Sequence, residues 1–283
     1  MKKDGWVFET LYDDYMVSYK IKDELQDVNT PFQALDMIDT DRFGKMLLLD
    51  GVVQTTEKDE FVYHEMMSHI ALFSHPCPGN ILIIGGGDGG ILREVLKHKT
   101  VKKAVMVEID AQVVEFSRKH LKTICADAFD DPRTELIIDD GAVYARKNTD
   151  RFDVIIVDSC DPIGPAEVLF TKEFYHDIKK CLNPDGILIR QGGNTFMQQD
   201  ELKDAMAFLK TVFKYNAPCV FTVPTYAGGL FNLTFSSDGI DPTITEESDI
   251  NNMFNDLGLK TMYYNPGVHV GSFKVPEYVK KLC

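Results

Sequence analysis

The clearest pattern in the chain is a regular alternation of apolar runs and amphipathic segments that begins near residue 80. Ile81-Leu82-Ile83-Ile84 is a continuous apolar run, which is typical of a strand buried on both faces. The pattern after it predicts, in order, a helix 91–98, strand 103–108, helix 111–121, strand 134–138, a short helix after Gly141, strand 153–157, helix 172–182, a turn 183–186 and strand 187–190. Strands that alternate with helices indicate a mostly parallel, doubly wound α/β sheet with right-handed crossovers.

The first sixty residues follow a different, two-residue period. Apolar and polar positions alternate over 15–21 and 32–38, and the run 46–49 is followed by Asp50-Gly51, a strong signal for a β-hairpin. Helical spacing begins near Asp59. We therefore expect a small N-terminal β-strand domain over residues 1–60 and a Rossmann-like, methyltransferase-type catalytic domain over 61–283.

The net charge of the chain limits which classes of binding partner are expected. The 283 residues include 44 Asp and Glu against 30 Lys and Arg, a formal net charge of −14. This balance argues against nucleic acid and against an anionic membrane as partners. It leaves open whether the acidity is an ordinary solvated surface or a set of carboxylates that converge on a cationic ligand.

The location of the protein is predicted from two further features. No signal peptide is visible in the polar N-terminus, and no stretch approaches the roughly 20 apolar residues of a membrane span. The six cysteines form no CxxC pair, which suits reduced thiols better than a disulfide framework or a metal site. We expect a cytoplasmic protein without a metal.

A glycine loop lies between the buried strand and the helix that follows it. Gly85, Gly87 and Gly90 satisfy G-x-G-x-x-G, and Glu108 ends the next strand 18 positions after Gly90, as expected for a carboxylate that binds ribose hydroxyls. These features predict a nucleoside site. The alternative is that the glycines only allow close packing of helix on strand.

Asp88 indicates which nucleoside binds. A dinucleotide places its pyrophosphate against such a loop, and an aspartate there would repel it unless the side chain turned away. A cationic ligand would instead gain from Asp88. An adenosyl sulfonium compound, either S-adenosylmethionine or its decarboxylated form, is therefore favoured over NAD.

More carboxylates follow the next strands. Asp139 and Asp140 precede Gly141, where one of them could accept a hydrogen bond from the adenine amino group and one could cap the next helix. Asp158 and Asp161 follow the strand 153–157. Unpaired carboxylates in one crevice repel each other and raise each other's pKa, so together with Asp88 they imply a cationic partner.

The loop after Asp158 has the composition of a gate. Pro162 and Pro165 stiffen it, while Gly164 leaves it able to bend.

The chemistry predicted from these residues is displacement at a carbon bonded to a sulfonium, with an amine as nucleophile. An alkylamine with a pKa of about 10.4 arrives protonated, so it needs a base within hydrogen-bond reach. Asp158 is the candidate base, Asp161 is the candidate partner of the amine's charge, and the Tyr63 hydroxyl is the candidate group that orients the attacking nitrogen.

The sequence resembles the spermidine synthase family of aminopropyltransferases over essentially its whole length. The strings that carry the resemblance are residues 49–66, 85–94, 107–110, 139–141, 158–170, 224–226 and 263–266. It is similar to the bacterial branch, in which His64 replaces a glutamine. Without the resemblance, His64 would be taken for an ordinary helix histidine.

The resemblance implies transfer of aminopropyl from decarboxylated S-adenosylmethionine, a co-substrate, to putrescine, giving spermidine and 5′-methylthioadenosine without cofactor or metal. It implies that Asp158 deprotonates putrescine with help from Tyr63, and that the protein is a homodimer or homotetramer. The implied donor-site residues are Gln54, His64, Asp88, Glu108, Asp140 and Gly141. The implied acceptor-site residues are Asp161, Gln191 and Tyr226, next to the gate 161–170.

Two other functions stay open on the sequence. A family offshoot methylates putrescine from S-adenosylmethionine, although a donor site containing Asp88 and Asp158 favours the donor that lacks a carboxylate. A polyamine sensor that kept the fold is the non-enzymatic alternative. The acceptor is also open, because cadaverine, agmatine or spermidine would differ from putrescine only in chain length or head group.

Overall fold

The computed structural model describes residues 2–9, 11–12, 14–159 and 164–283, and of Gly164 and Pro165 it describes the backbone alone. The N-terminal part forms two antiparallel sheets. Their strands are β1 (Lys2–Lys3), β2 (Trp6–Phe8) and β3 (Ser18–Lys20) in the first, and β4 (Asp23–Asn29), β5 (Ala34–Thr40), β6 (Gly44–Leu49) and β7 (Val52–Thr56) in the second.

The hairpin predicted at Asp50-Gly51 is confirmed. Both residues have positive φ, at 49° and 81°, and they join β6 to β7 with Leu49 opposite Val52. The sequence analysis missed β4, since its residues are mostly polar and exposed and carry no regular apolar alternation.

The remainder is a seven-stranded mixed sheet covered by helices on both faces. Its strands are β8 (Asn80–Gly85), β9 (Lys103–Glu108), β10 (Thr134–Ile138), β11 (Phe152–Asp158), β12 (Leu182–Asn194), β13 (Tyr215–Phe221) and β14 (Phe231–Ser237). The spatial order is β10-β9-β8-β11-β12-β14-β13. The strands from β10 to β12 pair in parallel, and β14 pairs antiparallel with both β12 and β13. The predicted doubly wound, mostly parallel α/β fold is confirmed.

Ten α-helices lie in the described part of the chain, along with two 3-10 helices over Ala128–Asp130 and Gly164–Phe170. The α-helices are α1 (Glu60–Ser74), α2 (Gly90–Leu96), α3 (Ala111–His120), α4 (Lys122–Cys125), α5 (Gly141–Lys147), α6 (Lys172–Cys181), α7 (Gln199–Val212), α8 (Glu247–Leu257), α9 (Pro266–Ser272) and α10 (Glu277–Lys280). None is long and apolar enough to cross a membrane, as far as the described residues extend.

The predicted turn over 183–186 lies inside β12. The pairing jumps from Phe152–Leu182 to Val154–Ile187, so these residues form an irregularity in the strand rather than a separate loop.

The apolar run of β8 divides its side chains between two cores. Ile81 and Ile83 pack with α1 and α2 on one face, while Leu82 and Ile84 pack with α5 and α6 on the other. This explains why the strand reads as a continuous apolar run: both of its faces are buried.

The four-stranded sheet packs against helix α3 of the larger domain. Leu35, Met37 and Leu47 share a hydrophobic cluster with Val113 and Phe116 of α3. The division at residue 60 stays a prediction, and this packing brings β6 and β7 to the carboxyl ends of β8 and β9.

Candidate active site

A cavity of about 460 Å³ lies where the carboxyl ends of β8, β9 and β11 meet the N-terminal sheet and α1. This is the crevice in which open α/β sheets bind ligands. Ten of the predicted site residues line it: Gln54, Tyr63, His64, Asp88, Glu108, Asp140, Gly141, Asp158, Gln191 and Tyr226.

The remaining predicted residues belong to the gate. Asp161 and Pro162 lie outside the described residues, and for Gly164 and Pro165 only a place in the 3-10 helix Gly164–Phe170 is described. Ala166, Val168 and Leu169 of the same segment line the cavity.

Two glycines of the loop are required by their neighbours. Gly85 has φ of +83°, and a Cβ there would lie 2.0 Å from the Asp158 carbonyl oxygen. A Cβ on Gly90 would lie 2.2 Å from the His64 ring. Both glycines therefore allow close packing, and the groups they admit belong to two of the predicted site residues.

Asp88 is bonded on both of its oxygens. Its Oδ1 accepts from the Gly90 backbone N–H at 2.8 Å, at the start of α2, and its Oδ2 lies 3.1 Å from His64 Nε2. Burial favours the protonated acid, but His64 outweighs it and lowers the pKa of Asp88. The expectation of an unpaired carboxylate here is wrong, because Asp88 is paired with His64. The two residues are 24 positions apart on different elements, so sequence spacing did not reveal the pair.

Asp158 has a different environment. The Tyr63 hydroxyl donates to its Oδ1 at 2.5 Å. Burial, and then the negative charge of Asp88, raise the pKa of Asp158 to about 6, against smaller opposing effects of Tyr63 and His64. Burial raises the pKa of Tyr63 well above its usual range, so the hydroxyl keeps its proton and remains the donor.

Glu108 ends β9 on the other side of the glycine loop. Its Oε1 accepts from the Asp110 backbone N–H at 2.8 Å. Burial raises the pKa of Glu108 to about 7, with a backbone hydrogen bond opposing the shift. The carboxylate therefore faces the cavity from a position fixed by its own loop.

Asp140 is the helix cap of the pair after β10. Its Oδ1 accepts from the backbone N–H groups of Ala142 and Val143 at 2.7 and 3.1 Å. Asp139 instead bonds the Asp140 backbone N–H. Only Asp140 of the two lines the cavity, so one residue both caps α5 and faces the site.

Aromatic rings form the wall opposite the carboxylates. The rings of Tyr63 and Tyr226 lie 5.7 Å apart, and the Phe231 ring lies 4.9 Å from Tyr226. The Tyr226 hydroxyl donates to the Gln54 carbonyl oxygen at 2.9 Å, which ties this wall to β7. Gln191 is buried in β12 opposite Leu233.

Several polar residues that the sequence analysis did not single out as site residues also line the cavity, among them Glu9, Tyr12 and Gln33. Glu9 is buried and accepts from the Val53 backbone N–H at 3.2 Å, Gln33 donates to Asp110 at 3.1 Å, and Tyr12 lies beside them in the lining. A charged residue directly after the apolar strand Trp6–Phe8 was the available signal for Glu9. Gln33 precedes an ordinary alternating strand and carried no such signal.

No group of three or more His, Cys, Asp or Glu side chains in the described ranges could hold a metal ion.

Comparisons with known proteins agree with this geometry. Residues 60–248 match the family model of the spermine/spermidine synthase domain, and residues 5–57 match that of the spermidine synthase tetramerisation domain. The polyamine aminopropyltransferase of a Ruegeria species is 45% identical over 282 residues, covering 100% of this chain and 99% of the relative. The Bacillus subtilis polyamine aminopropyltransferase is 42% identical over 277 residues, with 98% of each chain covered.

The chain belongs to the spermine/spermidine synthase family.

Solved structures of this family share the fold throughout. A spermidine synthase in complex with the transition-state analogue AdoDATO is 39% identical, with a TM-score of 0.94 over 99% of this chain and 95% of that one. The Thermotoga maritima spermidine synthase is 40% identical, with a TM-score of 0.92 over 98% of this chain and 93% of that one. The resemblance seen in the sequence strings is thereby confirmed, and it extends over both parts of the molecule.

Proposed function

We propose that this protein is a transferase that moves the aminopropyl group of decarboxylated S-adenosylmethionine to putrescine, giving spermidine and 5′-methylthioadenosine. The observation that carries the proposal is the Asp158–Tyr63 pair, set in a carboxylate-lined cavity of a chain that matches polyamine aminopropyltransferases from end to end. The neighbour bound to a transition-state analogue supports the same reaction class.

The donor would lie across the carboxyl ends of β8, β9 and β10. We assign Glu108 to the ribose hydroxyls, Asp140 and Gly141 to the adenine, and Gln54, His64 and Asp88 to the aminopropyl side. Asp88 and Asp158 supply negative charge at that end, which favours a sulfonium donor without a carboxylate over S-adenosylmethionine itself.

The acceptor would lie between Asp158 and the aromatic wall. We assign Asp161, Gln191 and Tyr226 to the diamine, with the gate of Pro162, Gly164 and Pro165 covering it. Glu9 joins this set as a second carboxylate on the N-terminal side, suited to the far ammonium of a dication.

The chemical step is a displacement at carbon. A protonated putrescine nitrogen loses a proton to Asp158, and its lone pair then attacks the aminopropyl carbon that is bonded to sulfur, forming the new carbon–nitrogen bond. The carbon–sulfur bond breaks with both electrons going to sulfur, so the positively charged sulfonium becomes a neutral thioether. The Tyr63 hydroxyl, held on Asp158 by a 2.5 Å hydrogen bond, fixes the orientation of the base.

The experiment is incubation of the protein with putrescine and, separately, decarboxylated and ordinary S-adenosylmethionine, with products identified by mass. Spermidine from the decarboxylated donor alone is expected. N-methylputrescine without spermidine would replace the proposal with methyl transfer, and binding without turnover would replace it with a sensor. A panel with cadaverine, agmatine and spermidine, compared by kcat/KM, defines the acceptor.

We further propose that the protein works in the cytoplasm as a homodimer or homotetramer, with residues 1–60 as its N-terminal domain. The match of residues 5–57 to a tetramerisation domain supports assembly through that region. The cysteines in the described ranges are unpaired, which suits a reducing compartment. Light scattering on the purified protein measures the assembly directly.

A further inference from the structure

A row of alternating charges runs from the cavity into the interface between α1 and α2. Its members, in spatial order, are Asp88, His64, Glu60, Arg93, Glu94 and Lys97. His64, Glu60 and Glu94 are buried. Each anion in the row contacts a cation, so the row can be inserted into the core without an uncompensated charge.

His64 stands between two carboxylates. Its Nδ1 lies 2.5 Å from Glu60 Oε2, and its Nε2 lies 3.1 Å from Asp88 Oδ2. A neutral imidazole has one N–H, so it could donate to only one of them and would turn a lone pair toward the other. The imidazolium, with two N–H groups, satisfies both contacts.

Glu60 is fixed in its ionised form from the other side. The Arg93 guanidinium donates to both of its oxygens, at 3.0 and 2.9 Å, in a bidentate pair. Arg93 is itself held by Glu94 and by the carbonyl oxygen of Ile124. A proton on Glu60 is therefore unfavourable, and the proton between Glu60 and His64 belongs to the histidine.

The cation matters to the base because Asp88 and Asp158 are close enough to influence each other's ionisation. Two uncompensated carboxylates in one cavity would share a proton, and the site would lose one of its anions. With His64 charged, the negative charge of Asp88 is partly compensated, so the repulsion that favours a proton on Asp158 is weaker.

We propose that Glu60 is a positioning residue that keeps His64 doubly protonated, and that this imidazolium allows Asp88 and Asp158 to be ionised at the same time. The catalytic consequence rests on the proposed function; the protonation state of His64 does not. Burial opposes the charge on His64, but Asp88 and Glu60 together raise the pKa of His64 to about 10, consistent with the contacts.

Other titratable and charged groups lie near His64, Asp88 and Asp158. They are Tyr63 of α1, Asp158 itself at the end of β11, Glu108 of β9, Arg93 of α2 and Cys125 of α4. Of these groups, Arg93 and the ionised carboxylates determine the electrostatic potential at His64, while Tyr63 is neutral.

The first test is nuclear magnetic resonance of the unliganded protein with 15N-labelled histidine, using His64→Gln to assign the signals. We expect both His64 nitrogens to carry protons up to at least about pH 8. A His64 that titrates near pH 6.5 overturns the proposal. This measurement needs no turnover, so its failure is separate from any failure of the proposed reaction.

The second test is Glu60→Gln, whose amide can donate to Nδ1 and so leave His64 as the neutral tautomer with a proton on Nε2. We expect that signature in the spectrum. We also expect kcat/KM to be about twofold lower at pH 7, about tenfold lower near pH 5 and unchanged above pH 9, because the pKa of Asp158 rises by about one unit. Glu60→Asp, which keeps the charge, should restore part of the loss near pH 5.

Glu65→Gln is the matched control. Glu65 is a buried glutamate on the same helix, and it accepts backbone hydrogen bonds from Met262, Tyr263 and Tyr264. Loss of the Glu65 carboxylate should lower the free energy of unfolding without changing the pH dependence of kcat/KM. A Glu60→Gln protein whose His64 stays doubly protonated, or whose activity falls equally at every pH, overturns the proposal.

Discussion

Asp88 and Asp158 are the same residue type at the carboxyl ends of adjacent strands, and they line one cavity, yet their environments are opposite. Asp88 is held by a histidine and a backbone N–H, and its pKa is lowered. Among the described residues, the Tyr63 hydroxyl donates to the Asp158 side chain, and the pKa of Asp158 is raised to about 6. Burial acts on both in the same direction, so the partners decide the difference.

The difference separates a charge fixed before any ligand arrives from one that is available for chemistry. A carboxylate paired with a cation is a poor proton acceptor, since protonation would break the pair. A carboxylate that contacts only a neutral hydroxyl can accept a proton at moderate pH. Asp158 is therefore the better base of the two, although the sequence presents both simply as aspartates after buried strands.

Replacing the base should have the largest effect on this comparison. Asp158→Asn keeps the shape and removes proton acceptance, so kcat should fall by about 10²- to 10⁴-fold. Binding of methylthioadenosine, measured by calorimetry, should change little because the adenosine contacts are assigned elsewhere. Unchanged turnover would remove Asp158 from its role.

Displacing His64, the cation that pairs with Asp88, by a substitution at Gly90 should have the next largest effect. In Gly90→Ala the new Cβ would overlap the His64 ring, so we expect a loss of about 1–3 kcal/mol in the free energy of unfolding, measured with denaturant. Gly271→Ala in α9, where a Cβ meets nothing within 4 Å, is the control and should be neutral or slightly stabilising. Equal stabilities for the two variants would contradict the close packing of His64.

The pH dependence of the unmodified protein sharpens the contrast. Because the pKa of Asp158 is raised to about 6, the base is protonated below that pH. The value of kcat/KM should then fall about tenfold for each further pH unit. A cationic donor stabilises the carboxylate, so the acid limb of kcat should lie at lower pH than that of kcat/KM. An acid limb of kcat/KM near pH 4 would show that Asp158 is not the controlling group.

Removing the hydrogen bond from Tyr63 to Asp158 should have the smallest effect. Tyr63→Phe deletes a donor that favours the carboxylate form, so the acid limb should move to higher pH by up to about one unit, with kcat lowered about tenfold at most. Tyr226→Phe, whose hydroxyl bonds the Gln54 carbonyl oxygen instead, is the comparison variant and should leave the limb in place. A shift of equal size in both would mean that the aromatic wall acts as a whole.

Much of the fold could be predicted because its signals are local. The buried strand 81–84, the glycine loop and the Asp50-Gly51 hairpin each depend on a few adjacent residues, and each is present in the structure. The polar, exposed strand β4 and the irregular start of β12 were missed, since pairing with neighbours rather than their own pattern makes them strands. The candidate site followed the same rule: residues at strand ends were found, while Glu9 and Gln33, which the N-terminal sheets carry to the cavity, were not.

The sequence by itself determined the α/β fold, the family, and the set of carboxylates at one edge of the sheet, because strand ends of a parallel sheet must meet there. Only the tertiary structure decided which of those carboxylates has a cation. His64 and Asp88 are 24 positions apart and are joined by the packing of α1 against α2, and Tyr63 reaches Asp158 across 95 positions because α1 also packs against β11. Charge is a property of each residue, but its compensation depends on contacts between residues distant in the chain.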